Sequence, residues 1–63
     1  MLFSIRECRR RAGLNQERLA EKAELHPVYI SQVERGEKAV SVAALWKLSR
    51  ALRVSMAELF RGI

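Results

Sequence analysis

Cysteine occurs once in this chain of 63 residues, at Cys8, and histidine once, at His26. A lone cysteine excludes an intrachain disulfide, and with one histidine and no companion cysteines at ligand spacing a zinc staple is not expected. Neither residue has a neighbouring motif that would activate it as nucleophile or base, so the reading is of a chain that is not an enzyme and carries no cofactor or metal. No apolar run is long enough to span a bilayer, and the Met-Leu-Phe start lacks the layout of a signal peptide. A cytoplasmic, nucleoid-associated protein is therefore expected. Glycine is used three times and proline once, and no alternating pattern marks a hairpin. What remains is 49% hydrophobic residues, which must form the core unaided in a chain close to the lower size limit for a single domain. Acidic residues are also few: seven Asp and Glu against twelve Lys and Arg give a formal charge of +5, a balance that favours encounter with a polyanion.

The periodicity predicts an all-α architecture, with residues 1–63 forming a single compact five-helix domain. Ser4-x-x-Glu7 has capping-box spacing, so a first helix is expected over about residues 5 to 12, ending at Gly13. Asn15 caps a second helix with Leu19, Ala20 and Ala23 on its apolar side. Pro27 stands at the first position of a third, where a missing amide hydrogen costs nothing, with His26 as its cap and Gly36 at its end. Ser41 caps a fourth helix with the stripe Leu45, Leu48 and Leu52, filled in by Ala44 and Ala51. Ser55-x-x-Glu58 repeats the capping box before a last short helix. The predicted core is Ile5, Leu14, Leu19, Ala20, Ala23, Leu25, Ile30, Val33, Leu45, Leu48, Leu52, Val54 and Leu59. Helices two and three fall below the roughly 12 to 15 residues that an isolated helix needs in water, so they depend on that shared core.

On a helical wheel of the third helix, Ile30 and Val33 face one way while Val28, Ser31, Gln32 and Arg35 face nearly opposite. A valine turned to solvent is uneconomical for a monomer, but its methyls can contact a thymine methyl, and Gln32 can bond an adenine edge in two places. Gln16 falls in the first turn of the second helix, where unpaired amides can receive a phosphate. Arg35 and Lys38 are candidate backbone clamps.

Three segments resemble the Cro/repressor (Xre) family of helix-turn-helix regulators: Leu14-Asn15-Gln16-Glu17-x-Leu19-Ala20, Tyr29 to Gly36, and Leu48 to Phe60. Their order and separation match over about residues 5 to 61. The resemblance implies a phage-repressor-like fold whose third helix enters the major groove. It places base contacts at Pro27, Val28 and Gln32, with Ser31 close by. Phosphate contacts fall at Asn15, Gln16 and Tyr29 and in the loop after Gly36, which brings in Lys38 and Ser41. It also implies a structural ion pair between Arg9 and Glu34, and a homodimer on an inverted repeat of double-stranded DNA. The chain departs from the family's pattern at four places. Glu24 and Arg53 stand where glycine is frequent, Pro27 and Val28 replace polar readers, and Ala39 and Val40 fill a loop that is often basic.

The function expected on this basis is transcription regulation by sequence-specific DNA binding, of the repressor or restriction-modification controller kind. The alternatives are an antitoxin that also binds a protein toxin, and a helix-turn-helix module used for protein interaction. A dimer contact is expected around Trp46, Arg53, Val54 and Phe60.

Overall fold

The computed structural model describes the backbone of residues 3–60 and the side chains of residues 5–59. Its elements are α1 (Phe3–Arg11), α2 (Gln16–Ala23), α3 (Pro27–Glu34), α4 (Val42–Leu52) and α5 (Met56–Phe60). No strand occurs among the described residues. None of these helices is long and apolar enough to cross a membrane.

Most helix ends are set by local chemistry. The Asn15 side chain accepts from the Arg18 amide at 2.8 Å, and the Ser41 hydroxyl from the Ala44 amide at 3.0 Å. Each satisfies an amide that the first turn leaves without a partner, a contact worth roughly 1 kcal/mol. At α5 the capping box is reciprocal, since the Glu58 amide donates to the Ser55 hydroxyl and the Ser55 amide to the Glu58 carboxylate. α1 begins at Phe3, two residues before the expected start, which places Ser4 inside the helix and not at its cap; the Ser4 side chain itself lies outside the described residues. Gly13 and Gly36 close α1 and α3 at φ of +73° and +76°, a region open to glycine without steric cost.

Ile5, Leu19, Ala20, Ala23, Ile30, Val33, Leu45, Leu48, Leu52 and Leu59 form the buried cluster, and Ala44 is buried as well. Three residues expected in that core, Leu14, Leu25 and Val54, are only half-buried and pack against its edge. Each lies in a connection between helices, where the chain runs over the surface and only one side of a residue is covered. The core fixes α2 against both α3 and α4, with α1 and α5 closing the remaining sides.

Candidate nucleic-acid interface

A three-residue break separates α2 from α3. Glu24 adopts the left-handed conformation at φ +57°, ψ +44°, and the Leu25 amide then reaches back to the Ala20 carbonyl at 2.8 Å. This is the hydrogen bond by which a left-handed residue closes a helix. The chain restarts at once, with His26 Nδ1 accepting from the Val28 amide at 3.1 Å and Pro27 in the first turn. The two helices are thus held in a fixed relation by backbone bonds and by their common core.

The outer side of α3 is chemically uncommitted. Val28 is 54% exposed, whereas Ile30 and Val33 on the opposite side are 1% exposed. Pro27, Ser31 and Gln32 are half-buried. Among the described residues the side chains of Ser31 and Gln32 make no hydrogen bond, so their donors and acceptors are available to a ligand. An α-helix fits the width of a B-DNA major groove, and this combination of methyls, hydroxyl and carboxamide is suited to base edges.

Beneath α3 lies a buried carboxylate. Glu34, the last residue of α3, is 5% exposed. Arg9 donates to it from Nε at 2.7 Å and from Nη2 at 3.1 Å, and Arg9 Nη1 donates to the Leu14 carbonyl at 2.9 Å. Two further partners were not apparent from sequence. Gln16 Nε2 donates to Glu34 at 3.0 Å, and Arg6 Nε approaches it at 3.4 Å. Burial pushes the Glu34 carboxyl up, but the hydrogen bonds from Arg9 and Gln16, the Arg9 charge and the Arg6 bond outweigh it and hold the group below its ordinary value. The spacing of Arg6 to Arg9, one turn of α1, is the signal that could have placed Arg6 beside the pair.

The residues expected at phosphates divide into two sets. On one flank Tyr29 accepts the Ser41 amide at its hydroxyl oxygen (3.1 Å), which leaves the hydroxyl hydrogen free to donate. Lys38 Nζ lies 6.0 Å from the centre of the Tyr29 ring. Tyr29, Lys38 and Ser41 therefore share one rim, lining a depression with Leu25 and Lys47. Separately from that rim, Asn15 uses its oxygen for the cap and keeps its amide nitrogen, while one hydrogen of the Gln16 amide is engaged with Glu34. Arg35 is tied to Glu37 by a fork of 2.9 and 3.1 Å. That hydrogen bond and the neighbouring carboxylate raise the Arg35 pKa further, and a phosphate at Arg35 would have to compete with Glu37.

Of the residues expected at a dimer contact, Trp46 is 50% exposed with the Arg50 guanidinium 4.9 Å from its ring centre. Arg53 is exposed and left-handed at φ +58°, and Val54 is half-buried beside it. The side chain of Phe60 lies outside the described residues.

A helix-turn-helix family profile matches residues 5–59. The chain is 41% identical to the control protein C.BamHI of Bacillus amyloliquefaciens over 78% of its own length and 60% of that protein's. It is also 41% identical to the control protein C.SmaI of Serratia marcescens, over 89% of this chain and 67% of that one. The chain thus spans about 60% of the length of the first of these relatives. Among solved structures, it superimposes on the restriction-modification controller protein C.AhdI of Aeromonas hydrophila with a TM-score of 0.91 at 41% identity, covering 94% of this chain and 89% of that one.

Proposed function

This chain belongs to the helix-turn-helix family, and from that premise we propose that it binds double-stranded DNA sequence-specifically and controls transcription as a restriction-modification controller. The observation that carries the reading is the outer side of α3, where Val28, Ser31 and Gln32 stand unengaged on a helix whose inner side is locked by Ile30, Val33 and Glu34. Rigid support behind an uncommitted polar edge is what direct base readout requires, because each base contact tolerates only small displacements.

In this mechanism α3 lies in the major groove. Gln32 offers paired donor and acceptor to adenine, Val28 packs on a thymine methyl, and Ser31 bonds whichever base edge faces it. Tyr29, Lys38 and Ser41 hold one phosphate strand, and Asn15 with the free hydrogen of Gln16 holds the other. A homodimer on an inverted repeat places two α3 helices about 34 Å apart, one turn of the duplex. The experiment that tests the reading is selection from a randomised duplex library. Recovery of an enriched, inverted-repeat sequence is the expected result, and equal retention of all sequences would overturn it.

A further inference from the structure

The cations of this protein divide by their partners. Arg6 and Arg9 are held by Glu34, Arg18 by Glu21 and Arg35 by Glu37. The other described cations make no ion pair with a described carboxylate, and Lys22, Lys38, Lys47 and Arg50 among them fall on one strip. They line two adjoining depressions that share Lys47. Among the described residues Glu24 is the only carboxylate lining either, so four cations against one acid leave +3 on the strip, out of +5 for the whole chain.

Both ends of the strip have the same construction. At one end Lys38 lies over the Tyr29 ring at 6.0 Å, and at the other Arg50 lies over the Trp46 ring at 4.9 Å, with Lys47 between them. A cation resting on an aromatic face loses part of its rotamer freedom while keeping its N–H groups for another acceptor. The strip begins at Lys38, on the rim already assigned to the segment read by α3, and continues through Lys47 to Lys22 and Arg50, and none of Val28, Ser31 and Gln32 lines it. Neither base readout nor the rim accounts for Lys22, Lys47 and Arg50.

We propose that this strip is a second phosphate track, which holds duplex flanking the segment read by α3, with Lys47 as the bridging contact. The proposal rests on the DNA-binding reading of α3. Spaced single charges suit a continuous polyanion better than one anionic group, for which donors would converge on a point. Duplex already docked on α3 also presents its neighbouring phosphates to the strip at high local concentration, so weak contacts suffice.

The test compares wild type with the double variant Lys47→Ala/Arg50→Ala. A second version, Lys47→Gln/Arg50→Gln, keeps the aliphatic packing should the first melt early. Affinity is measured across a salt series on a duplex of about 20 base pairs, two helical turns, and on one of about 40. Both the selected sequence and an arbitrary one are used. Wild type should gain affinity and a steeper salt slope on the longer duplex. The variants should lose that gain, with a slope smaller by about two per chain and affinity roughly tenfold lower at moderate salt, while base preference is kept. Equal slopes for variant and wild type on the long duplex overturn the track. So does a variant that keeps the flank gain but loses transcriptional output, which would make the strip a protein-docking surface. A wild type with base preference but no flank gain removes only the track, whereas flank gain without base preference removes only the α3 reading.

Discussion

Arg9 and Glu34, twenty-five residues apart in sequence, meet in a two-bond fork at 2.7 and 3.1 Å that joins α1 to the end of α3. The Glu34 side chain is fully buried and Arg9 is 12% exposed, so the pair is desolvated on both sides. Its rupture leaves a charge in the interior, which is more costly than the net worth of the intact pair.

Glu34→Gln should therefore destabilise the protein by about 3 kcal/mol in denaturant unfolding. Glu21→Gln removes a mostly exposed carboxylate paired with Arg18 at 3.4 Å and should cost less than about 1 kcal/mol. Equal effects from the two substitutions would show that burial adds nothing to the Arg9–Glu34 pair.

The same network predicts an acid limb. The folded-state pKa of Glu34 is lowered from the ordinary value of 4.5, so the unfolded chain takes up its proton first as pH falls. The stabilisation is complete above that ordinary value and is lost as pH drops through the lowered one. Melting temperature followed from neutral pH downwards should fall more steeply below about pH 4.5 in wild type than in Glu34→Gln. Parallel curves would contradict it. Glu37 is shifted the same way by Arg35 but is exposed, and its substitution should change the limb little.

Among the described residues, two other than glycine occupy left-handed backbone, Glu24 at φ +57° and Arg53 at φ +58°. The conformation costs an L-residue roughly 1 to 2 kcal/mol, and glycine returns part of that gain through its freer unfolded state. Glu24→Gly and Arg53→Gly should each raise stability by about 0.5 to 1 kcal/mol. Glu21→Gly, inside α2, should lower it by about 1 kcal/mol. A loss from all three would mean that the capped turns carry no strain.

On the selected duplex, Gln32→Ala should cut discrimination at one base pair by roughly 1 to 3 kcal/mol. Lys38→Ala should weaken every duplex alike and reduce the salt slope by about one. Competition binding on matched and mismatched duplexes separates the two. If Gln32→Ala weakens all sequences equally, that residue positions the helix and does not read.

A duplex carrying one half-site should bind far more weakly than the inverted repeat, and mass measurement of the saturated complex should return two chains per repeat. A one-chain complex of full affinity would defeat the dimer.

The starts of α2 to α5 were legible in the sequence because a cap is made within three residues: Asn15, His26, Ser41 and Ser55 all act where their spacing puts them. The outer residues of α3 were legible too, since helical periodicity alone separates Val28 from Ile30. The resemblance supplied the Arg9–Glu34 pair, and Arg6, one turn before Arg9 on α1, could have been added to it by spacing. Gln16 was hidden, because it reaches Glu34 only once α2 and α3 are packed and no spacing rule links positions 18 residues apart. The tie between Arg35 and Glu37 is different: the two stand only two residues apart, and either reading, a clamp on phosphate or a pair with the neighbouring acid, fits that sequence.

The convergence of Arg6, Arg9 and Gln16 on Glu34 also has a lever's geometry. The bonds grip α3 at its last residue, while Pro27 and Val28 stand at the far end of an arm of roughly 10 Å, at 1.5 Å per residue. A tilt of about 5° at the grip moves the tip by roughly 1 Å, more than the roughly 0.5 Å over which a hydrogen bond to a base edge keeps its length. If α3 reads DNA as proposed, the accuracy of its base-facing end depends on α1 as well as on the core, through arginines that need touch no base.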